Sequence, residues 1–170
     1  MEEKINFDKA VKELESKLLI TLKDYLNDIR WLHKRTYKVC EKGKEYEKLN
    51  LRDIANIARN IDTMDDTLRN LWVIAGEIEL LFEETKIRIP SIEISDEYRQ
   101  ELRKPLQVLD ATFEVLLHSD KFDKDALYQV FDGIMCYGET KRVMKLLKKR
   151  IKYIEETPIP QTVKENKVEE

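Results

Sequence analysis

An apolar ladder in steps of three and four residues runs through the first half of this chain: Ile54, Ile57, Ile61, Met64, Leu68, Leu71, Ala75, Ile78 and Phe82. That spacing marks one face of an α-helix, because a strand repeats every two residues. A long helix with a single apolar stripe must bury it against other helices. The ladder therefore predicts an all-α fold, and it carries no chemistry of its own.

Composition agrees. The chain has 170 residues, 42% hydrophobic and 38% charged, which is too apolar for disorder and too often broken by charge for a membrane protein. Its longest apolar runs, Leu18 to Ile20 and Leu71 to Ala75, fall far short of the ~20 residues of a membrane span. No apolar segment follows Met1, so a signal peptide is not expected and the cytoplasm is the expected compartment. In that reducing setting Cys40 and Cys136, with no CxxC or Cys/His pattern, are expected as free thiols. With 31 basic and 34 acidic residues the net charge is −3, so affinity for polyanions has to come from local clustering.

Four main helices are expected, at about 7–41, 51–86, 96–118 and 124–155. The first starts after Asn6, a good N-cap, and buries Phe7, Val11, Leu14, Leu18, Leu22, Tyr25, Ile29 and Leu32. Leu19, Leu26 and Trp31 lie off its narrowest stripe and offer apolar surface for a partner or a second copy. The second carries the ladder. Residues 87–95 alternate Ile87, Ile89, Ile92 and Ile94 with polar residues around Pro90, which predicts an extended connection tucking isoleucines against helix ends. Ser95 caps the third helix, whose face is Leu102, Leu106, Leu109, Phe113 and Leu116; the phase holds across Pro105, predicting a kink within one helix. The fourth is read through Leu127, Val130, Ile134, Tyr137, Met144, Leu147, Ile151 and Ile154. Short connections favour antiparallel neighbours, so residues 1–156 form one up-down bundle domain and 157–170 a disordered C-terminal tail.

Two basic clusters are the candidate sites. Lys141, Lys145, Lys148 and Lys152 share one helical stripe, thickened by Arg142, Lys149 and Arg150, with no acid between 141 and 152. Such a stripe neutralises phosphates without reading bases. Its other reading is charge that is solvated, or compensated by Glu77, Glu79, Glu83, Glu84, Asp96, Glu97 and Glu101. Arg30, Trp31, Lys34, Arg35 and Lys38 form the second cluster, where an aromatic among cations suits base stacking. Helical rise in the expected topology puts the two clusters at opposite ends of the bundle, roughly 45–50 Å apart.

Gly133 and Gly138 in the fourth helix are candidates for a close helix–helix contact, and Gly76 in the second for the same. Two histidines cannot furnish a paired metal set, Asp120, Asp123 and Asp125 lack the spacing of a calcium loop, and no Gly-rich phosphate loop occurs. No cofactor and no catalytic pair are expected. The function expected is a non-enzymatic helical interaction or scaffold module, with a protein partner or self-association; the alternative is a nucleic-acid-binding subunit using the basic stripe.

Overall fold

The computed structural model describes residues 2–42, 51–118 and 139–158, with side chains described at 7–34, over most of 52–107 and at 140–158. It contains α1 (Glu2–Lys42), α2 (Leu51–Thr85), a 3-10 turn (Pro90–Ile92), α3 (Asp96–His118) and α4 (Glu139–Glu156). Among the described residues there is no strand. The expected start of the fourth helix at 124 lies outside these residues, as do Gly133, Gly138, Cys136, the acids at 120–125 and the tail from 159 onward.

The apolar stripes meet in one core. Phe7 through Leu32 of α1, the ladder from Ile61 to Phe82, Leu102 and Leu106 of α3, and Leu147, Ile151 and Ile154 of α4 are all buried together. Leu26 belongs to this core as well, which removes it from the expected partner surface. α1 touches α2 and α4, and α3 touches the same two helices, so α2 and α4 sit diagonally across a square. Tyr25 reaches over the middle of that square from α1 to α3, donating its hydroxyl to Leu102 O at 2.6 Å.

Paired contacts give the directions. His33 meets Thr140 while Lys23 meets Glu155, so α4 runs against α1. Glu101 meets Arg142 while Tyr98 meets Leu146 O, so α4 also runs against α3. These are pairings that an alternating up-and-down bundle requires.

Local chemistry sets the element ends. α1 starts at Glu2 instead of after Asn6, because residues 2–6 contain no Gly or Pro to stop a helix that is already propagating. α2 is one helix through Asp62 and Thr63, and it closes one residue short of expectation. Lys86 turns left-handed at φ 59, and its amide donates back to Phe82 O at 2.7 Å. Beyond it, Pro90 opens the 3-10 turn, and Ile89, Ile92 and Ile94 are buried as the connection crosses the core. Ser95 Oγ then accepts the Tyr98 amide at 3.1 Å, an N-cap as expected. α3 continues through a buried Pro105.

Candidate functional site

The register of α1 on α4 decides where the basic residues lie. Thr140 is fully buried and shares a 2.7 Å hydrogen bond with His33 Nδ1, so the start of α4 lies against the late part of α1. Glu155, fifteen residues further along α4, meets Lys23. Arg30 and Lys34, exposed on α1, thus lie alongside Lys141 and Lys145 on α4. The expected 45–50 Å separation of the two clusters is wrong. It assumed that α4 met the end of α1 near residue 124, whereas the contact occurs at Thr140 and slides the stripe up beside the first cluster.

Among the described residues, Arg30 and Lys34 of the second cluster therefore join the lysines of α4 on one face. On α4, core side chains occupy the Val143, Leu147, Ile151 and Ile154 side, leaving Lys141, Lys145, Lys148, Lys149 and Lys152 in solvent. Lys141, Lys145, Lys148 and Lys149 make no ion pair among the described residues; Lys152 makes only a 4.0 Å contact with Glu156 on its own helix. Such exposed i,i+4 pairs contribute a few tenths of a kcal/mol at most. Lys23 extends the face towards Glu155 at 3.6 Å. Leu19 of α1 and Met144 of α4 are half-buried against the core.

The arginines of α4 behave differently, and this separates them from the lysine stripe. Arg142 pairs with Glu101, whose carboxyl is held below its ordinary range by Lys104, at 2.7 Å, and by Arg142 itself. Arg150 donates to Glu93 O at 2.7 Å and lies 4.9 Å over the Tyr98 ring. Both therefore lock α4 to α3 and its leading connection. Of the acids expected to compensate the stripe, Glu101 reaches Arg142, Glu79 pairs with Arg88 at 3.2 Å, and Asp96 pairs with Arg99. Glu77, Glu83, Glu84 and Glu97 are exposed and make no ion pair among the described residues. Lys141, Lys145, Lys148 and Lys149 are solvated, whereas Lys23 and Lys152 meet Glu155 and Glu156 and Arg142 meets Glu101.

Trp31 is half-buried and already engaged with a neighbour. The side chains of Arg35 and Lys38 lie outside the described residues. Gly76 is not a close-contact glycine: it is exposed, and a Cβ there would meet nothing within 4 Å. Helical periodicity alone missed four exposed apolar side chains, Ile20 (57%), Val73 (60%), Leu80 (59%) and Tyr153 (44%).

The second tryptophan, Trp72, is flanked by Arg99 at 5.7 Å and Arg103 at 5.8 Å from its ring centre, tying α2 to α3. Burial pushes the Arg99 guanidinium below its usual range, and its Nε is buried without a partner. Among the described residues there is no cluster of three or more His, Cys, Asp or Glu suited to a metal. Likewise no described helix is long and apolar enough to cross a membrane. No protein-family model, curated protein or solved structure matches the chain.

Proposed function

We propose that this protein is a non-enzymatic, cytoplasmic helical interaction module, a small subunit or adaptor that binds a partner through the joined face of α1 and α4. The carrying observation is the row Lys141, Lys145, Lys148 and Lys149, which makes no ion pair among the described residues, beside Arg30 and Lys34. Like charges three and four residues apart on a helix repel by a few tenths of a kcal/mol per pair. Lys141, Lys145, Lys148, Lys149 and Lys152 contain several such pairs. An acidic partner relieves that repulsion on binding, and the half-buried Leu19 and Met144 offer apolar contact.

Amide chemical-shift mapping with a polyglutamate peptide tests this reading. Shifts are expected at 141–152 and 23–34, fading as salt rises past ~0.1 M, where charges more than about 10 Å apart are screened. Shifts scattered over the whole surface, or none at low salt, contradict it.

The same adjacency favours a second reading, nucleic-acid binding, since one continuous basic face follows a phosphate backbone better than two remote clusters. For duplex DNA, changing Lys145, Lys148 and Lys152 to Glu should then flatten the slope of log affinity against log salt by about 3. The loss should be alike for every sequence. Binding indifferent to this triple change removes the nucleic-acid reading.

A further inference from the structure

Opposite the basic face, α2 presents a stripe of the reverse character. Val73 and Leu80 stand seven residues apart on its outward side, 60% and 59% exposed. Gly76 lies between them with open space around it, so the stripe is low enough for another helix to approach. Acids surround it. Asp66, Glu77, Glu83 and Glu84 are exposed, and of these only Asp66 makes an ion pair among the described residues, with Arg69 at 3.7 Å. Glu83 and Glu84 also fall in the last turn of α2, which holds no basic residue. Negative charge is disfavoured there by the exposed carbonyls of a helix C-terminus.

The described residues therefore carry two faces on which most like charges have no ion-pair partner, and their signs are opposite. We infer that the protein self-assembles, with the acidic and aliphatic stripe of α2 in one copy (Asp66, Val73, Glu77, Leu80, Glu84) docking on the basic α1–α4 face of a second copy. This rests on the interaction reading above and names its partner. Each half meets what it lacks: the acids meet Lys141, Lys145, Lys148 and Lys152, while Val73 and Leu80 meet the exposed Ile20 and the half-buried Leu19 beside it in sequence. Because α2 and α4 are diagonal in the bundle, docking one face leaves the other free. The contact is head-to-tail, so growth continues past two copies unless the rotation closes a ring.

Sedimentation velocity of the full chain over a wide concentration range is the test, in about 0.05 M and about 0.5 M salt, which brackets strong and weak screening. At low salt the mean mass should climb with concentration beyond a dimer, and at high salt it should return to the monomer. A basic-face variant (Lys145→Glu, Lys148→Glu, Lys152→Glu) and an acidic-face variant (Asp66→Lys, Glu77→Lys, Glu84→Lys) should each stay monomeric. An equimolar mixture of the two should associate again, because the reversed faces are complementary. Circular dichroism checks that both variants fold. Should either fail to fold, Val73→Ser with Leu80→Ser, both at exposed positions, should still weaken association at least tenfold.

A monomer at every concentration in low salt overturns the inference, as does association that all three variants leave unchanged. If the chain is monomeric while polyglutamate still shifts the amides of α4, self-assembly falls and the interaction reading stands. If neither occurs, both fall.

Discussion

Tyr25 is 1% exposed, and its hydroxyl donates to Leu102 O at 2.6 Å. Its apolar position was legible from the period of α1, but the hydroxyl's partner lies 77 residues away and no local pattern points to it. Tyr25→Phe should cost about 1–2 kcal/mol by urea denaturation, since a buried carbonyl loses a donor. Gly76 runs the other way. With open space at its Cβ and a helical backbone, Gly76→Ala should stabilise by about 1 kcal/mol in the same assay. A close-contact glycine would instead be destabilised by the change.

Two tyrosines also set the alkaline limit. Burial pushes Tyr98 from its ordinary 10.0 up to about 12 and raises Tyr25 as well. An acid whose pKa is higher folded than unfolded keeps its proton in the native state while the unfolded chain loses it. Stability is therefore unaffected well below pH 10 and falls as pH rises through the window between the two values. Melting temperature should drop from about pH 10 upward, and Tyr98→Phe should remove part of that drop.

At the scale of elements, the helical ladder translated directly into burial from Ile61 onward: Ile61, Met64, Leu68, Leu71, Ala75, Ile78 and Phe82 are all in the core, while the side chains of Ile54 and Ile57 lie outside the described residues. The N-cap at Ser95 was equally readable, and Ser95→Ala should lower stability by about 1 kcal/mol. The fourth helix was phased less well. Its buried side includes Thr140 and Val143, while Met144 stands at the edge beside α1. Threonine reads as polar, and its burial depends on His33 from another helix, which periodicity cannot see. The isoleucine connection gave its burial by alternation but not its 3-10 turn. Ile92 is fully buried at that turn, so Ile92→Ala should cost about 2–5 kcal/mol in a thermal or urea melt.

For the whole molecule, the all-α class and the bundle followed from stripe and spacing, because burial of a helix face is a local property of sequence. The candidate surface did not. Each basic cluster was visible separately, yet their union depends on the axial register of α1 on α4. A shift of three turns in that register keeps the apolar stripes facing inward while moving the charges by about 16 Å. The acidic face of α2 was read as compensation for the lysines, whereas the square arrangement holds it on the diagonal from α4.

The register is therefore the claim on which the functional reading stands. It can be measured by pulsed electron-spin distances between nitroxides at Arg30→Cys and Lys145→Cys, with Cys40 and Cys136 changed to Ser and the protein diluted in salt. Adjacent helices with axes 8–10 Å apart, plus two label arms, predict a distance below about 25 Å. A dominant distance near 45 Å, the separation of two clusters at opposite ends of the bundle, would contradict the joined basic face.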